Sequence, residues 1–261
     1  MHLEILPTRT AGAAENMAVD FLLLQRYPAA QAANPRFRHY GWRGPAFTFG
    51  YSQKLVFVRE VLAATEPPFE LCRRATGGGI VDHRDDWTYA LVIPRGHPLE
   101  ERPATQSYRE IHEALAAALR AQGADAVTKP CADEQAACAT DSPVQPGKRG
   151  ATADAGPAGV CFQRAEIYDV VSGLDGAKIA GAAQKRNKHG LLFQGSVWRP
   201  AAMVAAGGAA LDWDRFGDDF TAQLATALDV EARPSPWPEL DDDEVSALTE
   251  QYASPEWREH R

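Results

Sequence analysis

One segment of the chain combines two arginines with three consecutive glycines, in the sequence RRATGGGIVDH from Arg73 to His83. Consecutive glycines allow the backbone to approach a ligand closely, and their N–H groups can form a concave anion site. The spacing fits neither the GxxxxGK[ST] phosphate loop nor the GxGxxG dinucleotide loop, and strands are expected on both sides. Alternation along the first strand would turn one arginine into the site and the other away. A plain glycine turn beside two solvated arginines explains the segment equally well.

A cysteine and a lysine farther along the chain could carry covalent chemistry. Lys178 lies in GAKIAGAAQ, among residues too small to cover its side chain, and Cys161 begins an expected strand with Phe162. A lysine ammonium can lower the pKa of a nearby thiol or stabilise an oxyanion, so the pair suits acyl transfer through a thioester. From composition alone, a buried apolar cysteine and a solvated lysine are the more common outcomes. Cys72, beside the arginines, is expected in the core.

Composition and charge exclude several other classes of function. The 261 residues carry a formal net charge of −8, so no broad basic surface for nucleic acid is expected. No apolar run is long enough for a transmembrane helix, and the N-terminus lacks the pattern of a signal peptide. The four cysteines lack CxxC spacing and the seven histidines are scattered, which predicts reduced thiols in the cytoplasm and no metal site. The GxSxG motif of serine hydrolases is absent.

Apolar periodicity and turn residues place these motifs in a fold that contains both helices and strands. Helices are expected at 14–27, 58–64, 106–123, 214–228 and 240–252, and strands at 2–6, 36–42, 46–51, 69–74, 87–93, 167–172, 177–184 and 190–198. Several strands are joined by short turns, including a hairpin turn at QKRNKHG. This favours an α+β fold with a mixed, largely antiparallel sheet and packed helices over a doubly wound parallel sheet.

Two segments differ in composition from the rest of the chain. Residues 131–158 contain small and polar residues with glycine and proline and almost no large apolar side chain, so a flexible insertion is expected there. The proline-rich sequence RPSPWP at 233–238 precedes a final helix. The expected organisation is one main domain over residues 1–232, with the insertion inside it, and a C-terminal helical tail over 233–261.

Four stretches together resemble the family of lipoate–protein ligases and octanoyltransferases. They are ENMAVDFLLL at 15–24, RFRHYGWRGPAFTFGYSQ at 36–53, RRATGGGIVDH followed by DDWTYALVIP at 73–94, and AKIAGAAQKRNKHGLLFQGSVW at 177–198. The second and third stretches in combination are highly specific, and ASPEWR at 253–258 resembles the family's ending. The resemblance implies that residues 1–232 form an α+β catalytic domain of the kind shared with biotin–protein ligases.

The resemblance also implies roles for individual residues. Cys161 and Lys178 are expected to be catalytic, with the lysine contacting the acyl carbonyl. The residues expected to bind the substrate come from the glycine segment and from the two strands that contain Lys178 and LLFQGS: Arg73, Arg74, Thr76, Gly77, Gly78, Gly79, Ile80, Val81, His83, Ala180, Gly181, Gln194 and Gly195. One departure lies in LLFQGS, where the family often has a histidine and this chain has Phe193 before Gln194.

The family contains two kinds of enzyme, and the resemblance favours one of them. Octanoyltransferases take the acyl group from acyl carrier protein without a cofactor, whereas ligases activate free lipoate with ATP and Mg²⁺. Cys161–Phe162, ahead of EIYDVV and the lysine, resembles the cysteine-dependent octanoyltransferases. An ATP-dependent lipoate–protein ligase is the alternative, and a non-catalytic acyl- or lipoate-binding module is a third hypothesis.

Both activities imply carrier proteins as partners. The expected acceptor is a lipoyl carrier domain, in the glycine cleavage H protein or a 2-oxoacid dehydrogenase E2, and acyl carrier protein is the expected donor. Because the carrier is expected to be acidic, the basic sequence KRNKH at 185–189 is a candidate docking patch, with a solvated hairpin tip as an equal alternative. No nucleic acid or membrane partner is expected.

Overall fold

The structure is a computed structural model that describes residues 1–27, 33–131 and 164–260. Its strands are β1 (His2–Ile5), β2 (Arg9–Ala11), β3 (Arg36–Trp42), β4 (Ala46–Phe49), β5 (Glu70–Arg73), β6 (Val81–Asp82), β7 (Asp86–Pro94), β8 (Ala126–Thr128), β9 (Val170–Ser172), β10 (Lys178–Asn187), β11 (Gly190–Trp198) and β12 (Glu231–Pro234). Its helices are α1 (Ala13–Gln25), α2 (Leu55–Val61), α3 (Pro98–Glu101), α4 (Ala104–Ala121), α5 (Arg199–Ala205), α6 (Trp213–Ala227), α7 (Asp242–Ala253) and α8 (Pro255–Glu259).

These strands form a nine-stranded sheet and a separate three-stranded sheet. The order in the large sheet is β12-β1-β3-β7-β11-β10-β9-β8, and β2 pairs with β3. The pairs from β3 to β8 are antiparallel, whereas β12, β1 and β2 are added in parallel. The small sheet, β5-β4-β6, contains the two strands that flank the glycine segment. The predicted α+β fold with a mixed, largely antiparallel sheet is confirmed.

Strand β7 shows that the large sheet is buried on both faces. Trp87 and Tyr89 point into a core with residues of α4 and α6, whereas Ala90 and Val92 point into a second core with residues of α1. Successive side chains of a strand alternate between the two faces, which is why this uniformly apolar sequence serves both cores. Burying each large apolar side chain contributes about 1.5–3 kcal/mol, so helices on both faces hold the sheet in place.

The hairpin between β10 and β11 is tighter than the sequence indicated. Residues Gln184–Asn187 continue β10 and pair with Gly190–Phe193, so the turn consists of Lys188 and His189 alone. The sequence-based interpretation of QKRNKHG as a turn is therefore wrong for its first four residues. Much of the basic KRNKH sequence belongs to a strand of the large sheet.

The segment after residue 232 packs against the rest of the chain. Strand β12 pairs with β1, and α7 packs on α1, where Tyr252 joins the second core. The proposed division of the chain at 232/233 stays a prediction. Of the insertion at 131–158, only Cys131 is among the described residues. None of the described helices is long and apolar enough to cross a membrane.

Candidate active site

The glycine segment and Lys178, which are distant in sequence, line the same pocket of about 580 Å³. Gly78 and Gly79 come from the connection between β5 and β6, and Lys178 is the first residue of β10. The backbone of Gly78 has a φ of 89°, a left-handed conformation that favours glycine. The pocket is also lined by Tyr108 of α4 and Gln184 of β10.

Lys178 is held on the wall of this pocket by a buried ion pair. Its side chain is 5% exposed, and Nζ lies 2.7 Å from Oδ2 of Asp169, whose side chain is 1% exposed. Asp169 Oδ1 accepts a hydrogen bond from Tyr108 Oη at 2.5 Å, and Oδ2 accepts one from Glu166 N at 2.7 Å. A buried ion pair needs such additional bonds to offset desolvation. The ammonium therefore has a defined position, from which it could stabilise negative charge on a carbonyl oxygen.

The small residues after Lys178 leave the space that its side chain occupies. A Cβ atom on Gly181 would lie 2.7 Å from both Cε and Nζ of Lys178 and 2.9 Å from Asp169 Oδ1. Ordinary contacts of carbon atoms have separations of about 3.5–4.0 Å, so only glycine leaves the ion pair where it is. Ala182 N donates to Tyr108 Oη at 3.0 Å, which ties α4 to the same stretch of β10.

A second cavity, of about 40 Å³, shares Gly78 and Ala182 with the larger pocket. Besides Gly78, six residues that were expected to bind substrate line this cavity: Arg74, Val81, His83, Gly181, Gln194 and Gly195. The structure thus brings most of the predicted residues together around two adjacent spaces. Their arrangement suits a ligand with a polar head near Lys178 and a thin chain that passes the glycine segment.

Arg73 and Arg74 point in different directions, as alternation along a strand predicts. Arg74 donates to Gly77 O and Gly79 O, at 2.9 Å each, and to Thr48 Oγ1 at 2.7 Å. It therefore shapes the glycine segment by binding the carbonyl groups of that segment. Arg73 is not among the described lining residues of either cavity, and its guanidinium donates to the backbone carbonyl groups of Tyr51 and Gln53.

His83 belongs to a buried hydrogen-bond network at the wall of the smaller cavity. Its Nδ1 lies 2.7 Å from Asp86 Oδ2, and its Nε2 lies 2.7 Å from Thr48 Oγ1. Because Arg74 donates to the Thr48 hydroxyl, that hydroxyl can donate to Nε2 while Nδ1–H donates to Asp86. The indole of Trp42 stacks on the imidazole with 4.0 Å between ring centroids. These contacts fix the position of the His83 ring.

Gln194, rather than Phe193, is the residue of LLFQGS that faces the smaller cavity. Phe193 is fully buried in the core on the opposite face of β11. Gln194 Oε1 accepts from Thr76 Oγ1 at 2.7 Å, and Gln194 Nε2 donates to Asp20 Oδ2 at 2.7 Å. Of these two neighbouring residues, Gln194 is the one whose substitution would change the wall of the smaller cavity.

Two of the residues that were expected to bind the substrate, Ile80 and Ala180, pack in the hydrophobic cores. Ile80 packs in a small core with Phe47, and Ala180 is buried in the main core. Neither is among the described lining residues of the two cavities. Gly195 allows the ring of Tyr89 to pack against β11, since a Cβ atom there would lie 2.2 Å from the ring.

Asp169, Tyr108 and Asp86 were missed by the reasoning from the sequence. Tyr108 lies on the apolar face of α4, three residues before Ile111, and a buried tyrosine hydroxyl usually needs a partner. The need of the Tyr108 hydroxyl for a hydrogen-bond partner is the signal by which the sequence could have identified this residue. Asp169 interrupts the apolar run IYDVVS, but nothing in the sequence identifies Lys178 as its partner.

His112 supports the segment that contains Asp169. Its ring packs against that of Tyr108 at an interplanar angle of 55°, with 4.1 Å between ring centroids, and its Nδ1–H donates to Tyr168 O at 2.7 Å. Tyr168 has a φ of 65°, a left-handed conformation that is uncommon for a residue other than glycine. Burial lowers the pKa of His112 to about 4, so the imidazole is neutral near neutral pH.

Cys161 and Phe162 lie outside the described residues, and the described chain resumes at Arg164, which lines the larger pocket. Cys72 is buried as predicted, and burial raises the pKa of its thiol to about 12, which makes it a poor nucleophile. Among residues 1–27, 33–131 and 164–260, no cluster of three or more His, Cys, Asp or Glu side chains is arranged to hold a metal ion.

Comparison with known proteins assigns the chain to a family. The model of the lipoyl protein ligase A/B catalytic domain matches residues 12–203. The chain belongs to this family. Octanoyltransferase LipM of Geobacillus kaustophilus is 32% identical over 182 residues, which are 70% of this chain and 60% of that relative. Octanoyltransferase LipM of Staphylococcus aureus is 28% identical over 93% of this chain and 92% of its own length.

Solved structures show the same fold at low sequence identity. A bipartite lipoate protein ligase from Thermoplasma acidophilum, described with its E2 lipoyl domain, has a TM-score of 0.66 and 19% identity, covering 99% of this chain and 96% of that chain. A lipoate-protein ligase A bound with ATP has a TM-score of 0.66 and 18% identity, covering 99% of both chains. The resemblance to the lipoate–protein ligase fold is confirmed.

Proposed function

We propose that this protein is an octanoyltransferase that acts in protein lipoylation. It transfers an octanoyl or lipoyl group from acyl carrier protein to a lysine of a lipoyl carrier domain through a thioester on Cys161. The observation that carries the proposal is the buried Lys178–Asp169 pair on the wall of the pocket that the glycine segment also lines. The names of the curated relatives, octanoyltransferases, support the same activity.

The proposed chemistry has two transfer steps. The Cys161 thiolate attacks the carbonyl carbon of the octanoyl thioester, the carrier thiol leaves, and an octanoyl–Cys161 thioester forms. The amine of the acceptor lysine then attacks this thioester, which forms an amide and returns the Cys161 thiol. In both steps negative charge develops on the carbonyl oxygen, and the Lys178 ammonium is the group proposed to stabilise it.

The position of Cys161 in the sequence fits this assignment. Arg164, three positions later, lines the pocket together with Lys178. Three residues span at most about 11 Å, a length that would allow a thiol at position 161 to reach this pocket. The acyl chain would then pass Gly78 and Gly79 toward the smaller cavity, which has Gln194 and His83 on its wall.

The proposed acceptor is a lipoyl carrier domain, and a structural neighbour of this chain is described with an E2 lipoyl domain. The basic residues Lys185 and Arg186 belong to β10, whose first residue, Lys178, lies in the pocket. A carrier domain with an acidic surface could approach the pocket along this strand. The cytoplasm remains the proposed location.

A transfer assay with defined donors tests the proposal. The protein is incubated with a lipoyl domain and either octanoyl-acyl carrier protein or lipoate with ATP and Mg²⁺, and the mass of the lipoyl domain is measured. Octanoylation from the carrier without ATP is expected, and Lys178→Ala should abolish it. Modification only with lipoate and ATP would establish the ligase alternative, whose cofactors are ATP and Mg²⁺. Binding of either acyl group without turnover would establish a non-catalytic module.

A further inference from the structure

The guanidinium of Arg73 joins two segments of backbone that are far apart in the sequence. Nη1 donates to Tyr51 O at 2.5 Å and to Gln53 O at 2.8 Å. Nε donates to Trp257 O at 3.1 Å, and Nη2 donates to Arg258 O at 2.7 Å. The residue is fully buried, and its guanidinium lies 4.7 Å from the centroid of the Phe49 ring. Four carbonyl groups thus depend on one side chain.

The second of these segments, residues 254–260, also donates a hydrogen bond to the backbone of β5. Trp257 Nε1 donates to Arg73 O at 2.9 Å, and Ser254 Oγ caps α8 by accepting from Trp257 N at 3.1 Å. The Trp257 ring packs between Tyr252 and Tyr51, at centroid distances of 5.0 Å and 6.0 Å. We call residues 254–260 the C-terminal clamp.

The first segment, residues 50–53, forms part of the pocket wall. Gln53 lines the pocket, and Tyr51 N donates to Thr76 O at 2.9 Å, directly before the three glycines. Gly50 lies so close to the glycine segment that a Cβ atom on it would be 2.0 Å from Gly78 O. A displacement of residues 50–53 would therefore displace Gly78, which lines both cavities.

We propose that the C-terminal clamp positions the wall of the acyl pocket through Arg73. Arg73 is then a positioning residue that acts through residues 50–53 and the glycine segment, and not a residue that binds the substrate. The proposal rests on the proposed acyl-transfer function only where it concerns activity. Its structural part, the coupling of the clamp to residues 50–53, is tested without substrate.

Hydrogen exchange of the whole protein measures this coupling. In Arg73→Lys the forked donor is lost, and in Trp257→Phe the indole N–H is lost while the ring packing is kept. Loss of such hydrogen bonds costs about 1.5 kcal/mol, so exchange of the Tyr51 and Gln53 amides should rise by about tenfold in each variant. Arg36→Lys is the matched control, because Arg36 is also buried and also binds two backbone carbonyl groups, those of Leu23 and Arg26. It should leave exchange at residues 50–53 and 76–79 unchanged.

Kinetics with the octanoyl donor distinguish positioning from direct binding. A displaced wall should raise the KM for the donor by about tenfold in both Arg73→Lys and Trp257→Phe, with kcat changed by less than about threefold. If Arg73 bound the substrate directly, only Arg73→Lys would raise KM, and the proposal would be overturned. Unchanged exchange at residues 50–53 in Trp257→Phe would overturn it as well. If the wild-type protein shows no octanoyl transfer, but both variants raise amide exchange at residues 50–53, the proposed function is wrong and the proposed role of the C-terminal clamp is supported.

Discussion

Gly181→Ala should move the Lys178 ammonium without removing it. The substitution therefore tests whether the position of this charge matters for acyl transfer. The new Cβ would lie 2.7 Å from Cε and Nζ of Lys178 and 2.9 Å from Asp169 Oδ1. Ordinary van der Waals separations are about 3.5–4.0 Å, so the end of the lysine side chain must move by about 1 Å. The substitution adds one methyl group and removes no charged group from the site.

The expected effect on activity is larger than the effect on stability. Overpacking a buried site by one methyl group costs about 1–3 kcal/mol of unfolding free energy, and the flexible lysine keeps this cost low. A displacement of about 1 Å of a group that must meet a reacting oxygen costs on the order of 100-fold in rate. We therefore expect octanoyl transfer to fall by about 100-fold while the protein stays folded.

Single-turnover transfer to a lipoyl domain measures this rate, and thermal unfolding reports the stability of each variant. Gly44→Ala is the matched control, since a Cβ at this exposed position would meet nothing within 4 Å. It should transfer at the wild-type rate. A folded Gly181→Ala protein with wild-type transfer would refute the reasoning, because the position of the ammonium would then not matter.

Three further substitutions test the surroundings of the site. Tyr108→Phe removes the hydroxyl that binds Asp169 and should lower single-turnover transfer by about tenfold, whereas Tyr89→Phe should not, since the buried Tyr89 hydroxyl has no hydrogen-bond partner in the described part of the chain. Equal rates for the two phenylalanine variants would contradict the positioning role of Tyr108. The pKa of His112 is about 4 in the folded protein and 6.5 as its ordinary value, so between these pH values the unfolded protein binds a proton that the folded protein does not. Stability should therefore fall by up to about 3 kcal/mol as pH decreases from 6.5 to 4, and denaturant unfolding of His112→Asn should show a flatter pH profile. Gln194→Ala removes the buried hydrogen bonds with Thr76 Oγ1 and Asp20 Oδ2 and should lower the free energy of unfolding in urea by about 1–3 kcal/mol, and an unchanged value would contradict the network described for it.

The elements of the fold were predictable where their patterns are long. Helix α4 was expected at 106–123 and spans Ala104–Ala121, and β7 was expected at 87–93 and spans Asp86–Pro94. Short elements such as β2, β8, β12 and α5 were not predicted, because their positions depend on pairing and packing with distant segments. The hairpin after β10 was misplaced because polar residues on a strand with partial exposure resemble a turn in the sequence.

The sequence motifs of the site were predictable, but the side chains that bind the motif residues were not. The glycine segment and Lys178 were identified from composition and from resemblance, and the structure brings them to one pocket. The roles of the two neighbouring arginines could not be separated, since alternation does not say which one faces the site. Asp169 was missed because the ion pair exists only after β9 and β10 pair, which no local pattern records.

The central claim is that an acyl group passes through a thioester on Cys161. Intact mass of the protein after mixing with octanoyl-acyl carrier protein, without a lipoyl domain, tests it most directly. We expect one octanoyl adduct that hydroxylamine removes, that is absent in Cys161→Ala and that is transferred when a lipoyl domain is added. An adduct that persists in Cys161→Ala, or full transfer by that variant, would contradict the account.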